Sequence, residues 1–257
     1  MTELLPVAVL GARGRMGTEA VRAVEEAPDL ELVAALGSPD PLERLVSPGA
    51  RVVADLTVPD ATADNVAFAV EHGMHAVVGT TGWTTERLTA LGDQLRRTPA
   101  TGVLIAPNFA LGSVLATAFA AAAARYFESA EIVEPPPPDK VDAPSGSAVR
   151  TAQLAAAARA AAGLPAAPDA THDQLDGARG APVDGVPVHS GRPRGLTAHQ
   201  EGLLGGGGGQ LTIRHDSFPR ESFMPGVLLG IRSVAQHPGL TVGLDGSLAL
   251  WLGGAPS

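Results

Sequence analysis

Short apolar runs separated by polar, helix-period stretches dominate the first hundred residues. Val7 to Leu10 is apolar throughout, as expected of a parallel strand buried on both faces. It runs into Gly11 and Gly14, and a helix follows from Arg15 to Ala27 with Val21 and Val24 on its apolar face. Further strands are expected at Leu30 to Leu36, Val52 to Leu56, Ala76 to Val78 and Val103 to Ala106. Helices near Ala61–His72 and Thr85–Arg96 separate the last three. Strand and helix alternating at this spacing predict an α/β fold, an open parallel sheet of the Rossmann-like dinucleotide-binding type.

Beyond Asn108 the pattern changes. An alanine-rich helix is expected from Leu111 to Phe127, a strand from Ala130 to Glu134 and a second helix from Ser147 to Ala162. Gly163 to Gly185 is rich in Pro, Gly, Ala and Asp and reads as a long irregular loop. Strands follow at Val186–His189, Leu196–Gln200 and Gln210–His215, and Gly205 to Gly209 reads as a loosened hairpin turn. A phosphate cradle would need a helix directly after the glycines, and here a strand follows. These elements predict a second, α+β domain over residues 111–219. The apolar helix Val227–Val234 returns the chain to the first, which comprises 1–110 and 220–257.

The chemistry concentrates in a few turns. Gly11-Ala12-Arg13-Gly14-Arg15-Met16-Gly17 lies between a strand and a helix, where a dinucleotide fingerprint belongs. Gly11 permits the tight turn, Gly14 lets the backbone approach a pyrophosphate, and Gly17 allows the helix to pack closely. Gly79-Thr80-Thr81-Gly82 and Ala106-Pro107-Asn108-Phe109 each follow a strand, at the edge where open α/β sheets bind ligands. An acid that grips the ribose hydroxyls of NADH usually ends the second strand; here Gly37 and Ser38 stand there. With Arg13 and Arg15 nearby, the cofactor reading leans to NADPH over NADH. Lys140 and the Asp142-Ala-Pro-Ser145-Gly146-Ser147 turn open a helix, where free backbone N–H groups bind carboxylates well.

These stretches carry a family resemblance. Val7–Gly17, Val77-Val-Gly-Thr-Thr-Gly-Trp83, Ile105–Phe109, Lys140–Ser147, and Leu211–Ser217 followed by Ser222–Gly226 occur in one order across nearly the whole chain. In this it resembles the 4-hydroxy-tetrahydrodipicolinate reductases of lysine (diaminopimelate) biosynthesis. The resemblance implies hydride transfer from NADPH or NADH to a small cyclic carboxylate, with Lys140 as proton donor. It implies a carboxylate held by Ser145, Gly146 and Ser147, and a homotetramer formed through the second domain's sheet. One segment departs from it. The family typically reads Glu-x-His-His-x-x-Lys, and this chain reads Glu134-Pro-Pro136-Pro137-Pro-Asp-Lys140. Proline has neither an ionisable group nor an N–H. Three readings therefore stay open: the lysine-pathway reductase, a paralogue reducing another cyclic imine or dihydropyridine carboxylate, and a cofactor-binding member without redox activity. Gly191, Pro193 and Gly202 also stand where bulkier residues are common in the family.

Composition narrows the partners. The 257 residues carry a net charge of −9, which argues against nucleic acid or an anionic membrane. No apolar run approaches the roughly 20 residues of a membrane helix. The chain enters a strand almost at once, so no signal peptide is expected, and a cytoplasmic enzyme fits best. There is no cysteine, hence neither disulfide nor thiolate metal site. Among the seven histidines only His72 and His75 are closely spaced, and no metal is expected.

Overall fold

Strands whose every side chain is apolar must be covered on both faces, and this condition shapes the first unit. The computed structural model describes residues 3–248. Residues 3–111, together with residues 220–248, form one compact unit, and Gly112–Pro219 forms a second. In the first, β1 (Leu5–Leu10), β2 (Leu30–Leu36), β3 (Val52–Asp55), β4 (His75–Val78) and β5 (Gly102–Ile105) pair in parallel. A sixth strand from late in the chain, β11 (Gly239–Val242), adds to β5, and the order across the sheet is β2-β1-β3-β4-β5-β11. The chain thus leaves β1 toward one edge and returns to β3 on its other side. Such a reversal opens a crevice beyond the carboxyl ends of β1 and β3.

Val7, Ala8, Val9, Val52, Ala54, Ala76, Val77 and Val78 are fully buried. Each buried valine contributes about 1.5–3 kcal/mol relative to exposure. The helices α1 (Arg15–Glu26), α2 (Thr62–Glu71) and α3 (Thr85–Leu95) lie where the apolar periodicity places them. The helix α6 (Met224–Ser233) packs so tightly on the sheet that a Cβ at Gly230 would lie 3.0 Å from both Leu104 Cδ2 and Val77 Cγ1. The strand β11 was not anticipated, being four residues long behind Pro238.

The second unit holds β6 (Ser129–Glu134), β7 (Ala181–Val183), β8 (Val186–Ser190), β9 (Ala198–Gly206) and β10 (Gly209–Ser217), ordered β10-β9-β6-β8-β7. Only β6–β8 is parallel, giving the mixed sheet of an α+β fold. Gly206 pairs with Gly209, so the glycine run is a hairpin turn. The strand β7 interrupts the long segment expected to be irregular throughout. Its helices are α4 (Leu111–Ala124) and α5 (Gly146–Ala161). Ala148, Ala152 and Ala155 of α5 join Ala130, Ile132, Val188 and Leu204 in one core, and these small side chains let the helix lie close to the sheet. The helix α4 stops three residues short of the expected Phe127, whose ring packs onto that core. The Arg159 guanidinium takes the carbonyls of Phe127 and of Glu128, the latter at 2.8 Å.

Candidate active site

Gly11 has φ +76°, and a Cβ there would sit 2.5 Å from the Leu56 carbonyl oxygen, so only glycine lets the first loop run past the end of β3. Gly14 N–H donates to Gly11 O at 2.8 Å, and Ala12 N–H to Leu36 O at 2.9 Å. Gly14 also caps α1 without a side-chain acceptor, and no acid stands in the first turn of that helix. Its leading N–H groups and dipole are therefore open to an anion. Arg13 and Arg15 are exposed, Met16 is half-buried and Gly17 is buried. A Cβ on Gly17 would meet Gly11 O at 2.0 Å, which explains why this position carries no side chain.

Two further loops border the same sheet edge. A Cβ on Gly79 would strike Leu56 Cδ2 and Phe109 Cε2, both at 2.7 Å, so the loops after β3, β4 and β5 interlock there. Arg87 ties two of them by donating to Pro59 O and Gly82 O at 2.9 Å. Ala106 is buried and donates its N–H to Val78 O at 2.8 Å, Pro107 is exposed, and the Asn108 Oδ1 accepts from Ala110 N–H at 2.9 Å. Phe109 is 3% exposed and Thr81 is exposed. The Thr80 hydroxyl is buried and, among the described residues, meets no partner. A buried unpaired hydroxyl is costly. Together with the glycine-lined cradle and the open helix start, it fits these residues to a bound dinucleotide.

Sequence reasoning missed Asp55. At the end of β3 it accepts from Thr57 N–H at 3.0 Å, from the Thr62 hydroxyl at 2.7 Å and from the Thr57 hydroxyl. Burial pushes its carboxyl above the usual aspartate range, although these donors oppose the shift. It fixes the loop that carries Leu56 against Gly11. A carboxylate closing an otherwise apolar strand was the available signal. Asp40 was missed too. Its Oδ2 accepts from Gly37 N–H and from Arg13 Nη2, and its Oδ1 from Arg44 Nη1, all at 2.9 Å.

In the second unit the residues singled out near Lys140 come together. Ser145 caps α5, its hydroxyl accepting from Ala148 N–H at 3.3 Å. Gly146 and Ser147 are exposed, and Ser147 N–H lies in the first helical turn, where no helical carbonyl precedes it. Lys140 Nζ pairs with Asp142 Oδ1 at 2.6 Å, while Asp142 Oδ2 accepts from Gly146 N–H at 3.3 Å. The Lys140 hydrogen bond holds the Asp142 carboxyl below its ordinary range. One carboxylate thus bridges the lysine and the helix start.

Behind this turn lies Glu134, 2% exposed, accepting from Ser145 N–H at 3.0 Å and from the Ser190 hydroxyl at 2.6 Å. Arg192 reaches the Asp142 carbonyl at 2.6 Å and stands 3.7 Å from Glu134. Pro136 is buried and Pro137 half-buried, the latter's carbonyl accepting Lys140 N–H at 3.1 Å. His189 does not enter the space beside them. It alternates with Val188 and Ser190 along β8, and its Nε2 pairs with Glu131 at 2.7 Å. His72 and His75 are likewise committed, His72 Nδ1 lying 2.9 Å from Phe68 O and His75 Nδ1 accepting Gly102 N–H at 2.9 Å.

Comparisons with known proteins identify the family. A family model described as dihydrodipicolinate reductase, N-terminus, matches residues 5–109, and one described as dihydrodipicolinate reductase, C-terminus, matches residues 112–248. A protein of Streptomyces griseus subsp. griseus named 4-hydroxy-tetrahydrodipicolinate reductase is 65% identical over 246 residues, covering 96% of this chain and 98% of the relative. Another of that name, from Nocardia farcinica, is 58% identical over 244 residues, covering 95% and 98%. The solved structure of dipicolinate-bound dihydrodipicolinate reductase from Paenisporosarcina sp. TG-14 superposes with a TM-score of 0.83 at 36% identity, covering 95% of this chain and 99% of that one. With one unit matching the amino-terminal half of that family and the other its carboxy-terminal half, the chain belongs to the dihydrodipicolinate reductases.

Proposed function

We propose that the protein is a 4-hydroxy-tetrahydrodipicolinate reductase of the diaminopimelate route to lysine, and that it prefers NADPH. The observation that carries the reading is the carboxylate of Asp142, which bridges Lys140 Nζ at 2.6 Å and Gly146 N–H at 3.3 Å. A substrate carboxylate takes up the same two donors when it replaces Asp142 there, with Ser147 N–H as a third. The nearly full-length likeness to reductases of that name supports the lysine-pathway substrate over a different ring. So does the dipicolinate held by a relative of the same architecture.

In this reading the nicotinamide supplies the hydride, and the chain's residues do the rest. Gly11, Ala12, Gly14, Arg15, Met16 and Gly17 receive the pyrophosphate at the start of α1, and Arg13, whose stem lies against Gly37, faces the adenosine ribose. Gly79, Thr80, Thr81, Ala106, Pro107, Asn108 and Phe109 border the nicotinamide, with the Thr80 hydroxyl as a free polar contact. Ser145 holds the turn by capping α5 while Gly146 and Ser147 bind the carboxylate. Lys140 delivers the proton to the reduced ring. Pro136 and Pro137 do not titrate, so the proton comes from the lysine alone. Residues 1–110 with 220–257 act as the dinucleotide-binding domain. Residues 111–219 act as the substrate-binding and oligomerising domain of a cytoplasmic homotetramer. Among the described residues no helix is long and apolar enough to cross a membrane.

The test is reduction of enzymatically generated 4-hydroxy-tetrahydrodipicolinate, followed by NADPH absorbance, for the native chain and for Lys140→Gln. Turnover that depends on Lys140 is expected. Reduction only of an imine bearing one carboxylate fewer would assign the protein to a different substrate.

A further inference from the structure

The end of β2 is where a dinucleotide fold meets the adenosine ribose. In this chain Gly37 leaves that position without a side chain. The space is not empty: a Cβ on Gly37 would meet Arg13 Cδ at 3.2 Å, Cγ at 3.3 Å and Nε at 3.4 Å. The aliphatic stem of Arg13 thus lies where an acidic side chain would begin. The nearest acid is displaced to Asp40, folded back by a turn in which Asp40 N–H donates to Gly37 O at 2.7 Å. That carboxylate accepts three donors at 2.9 Å, from Gly37 N–H, Arg13 and Arg44.

Two guanidiniums and one carboxylate leave this cluster with one net positive charge. Arg13 and Arg44 remain 67% and 60% exposed while Asp40 is only 15% exposed, so the positive groups face outward. Each guanidinium has five N–H donors in a planar fork suited to phosphate, and each gives one to Asp40. Arg44 is held by a short helical turn, Leu42–Leu45, that is pinned by the fully buried Leu45. Because Asp40 already takes three donors, it is poorly placed to grip ribose hydroxyls as an acid ending β2 would.

We propose that Arg44 is a specificity-determining residue that, with Arg13, clasps the 2′-phosphate of NADPH, Asp40 holding both in place. This assignment rests on the NADPH reading above. It is tested by fluorescence titration of the full chain with NADPH and with NADH, which needs no turnover. Arg44→Gln is expected to weaken NADPH about tenfold, equivalent to 1.4 kcal/mol. Its dissociation constant for NADH should stay within twofold, and Arg44→Lys should recover part of the loss. Because the side chain is exposed, Arg44→Gln should unfold at the native temperature. A native preference for NADPH that survives Arg44→Gln would overturn this assignment alone. A native chain that binds NADH as tightly as NADPH would overturn the cofactor reading beneath it.

Discussion

Replacing Gly17 by alanine tests whether the first loop is a cofactor cradle built by close packing. The added Cβ would lie 2.0 Å from Gly11 O and 2.6 Å from Gly11 C. Real Cβ atoms essentially never come within 3.0 Å of such atoms, so the helix or the loop must retreat by at least 3.0 − 2.0 = 1.0 Å. Both obstructing atoms belong to the backbone of a hydrogen-bonded turn, so no rotamer change relieves them. Overpacking of this kind costs about 1–3 kcal/mol. For a chain of this size that lowers the melting temperature by roughly 2–12 °C. The displaced loop also carries the pyrophosphate site, so NADPH affinity should fall about tenfold or more.

Gly14→Ala separates the two effects. Its Cβ would meet only Gly11 O, at 3.1 Å, so the melting temperature should move by no more than about 2 °C, under 1 kcal/mol of overpacking. The methyl group would nevertheless obstruct a pyrophosphate lying against the loop. Differential scanning fluorimetry and NADPH titration of both variants supply the readouts. Native NADPH affinity in Gly14→Ala would refute the cradle, and an unchanged melting temperature in Gly17→Ala would refute the packing argument.

Three further outcomes are expected. Lys140→Gln should lower kcat by about 10²–10⁴-fold while leaving the dissociation constant for NADPH unchanged, measured by stopped-flow absorbance and titration. The double variant Pro136→His/Pro137→His should raise kcat/KM at least tenfold, since a charged contact to a carboxylate contributes about 1.5–3 kcal/mol. Steady-state kinetics at saturating NADPH checks it, and an unchanged value would mean that the prolines cost nothing. Asp169 is held at about 2, first by its hydrogen bonds with Thr171 and then by Arg179. A folded pKa below the unfolded value stabilises above the ordinary aspartate range, and that contribution is lost as pH falls through about 2. Asp169→Asn should therefore make the melting temperature fall less steeply between about pH 4 and pH 2.

Much of the first unit was legible because parallel strands buried on both faces leave an uninterrupted apolar signature. The glycines of the first loop were legible as well, since their spacing reflects steric demands that hold without knowledge of the rest of the fold. The strand β7 was hidden by its length and by Pro182 at its centre, which ordinarily argues against a strand. The early end of α4 depends on the Phe127 ring meeting the alanine core and on Arg159 reaching the carbonyls beyond the helix. Both contacts join residues far apart in sequence. The same holds for the ribose end of β2: the absent acid at Gly37 was visible, but the carboxylate that gathers Arg13 and Arg44 was not. Around Lys140 the turn was legible as an anion site. That Asp142 itself occupies it follows only from the folded geometry.

The central claim is that Lys140 and the start of α5 suffice for reduction although Pro136 and Pro137 stand at the two histidine positions. The most direct measurement is NADPH oxidation by the purified native chain, with 4-hydroxy-tetrahydrodipicolinate generated in the cuvette. The account predicts steady oxidation that requires this substrate and falls by about 10²–10⁴-fold in Lys140→Gln. Tight NADPH binding with no loss of absorbance would contradict it.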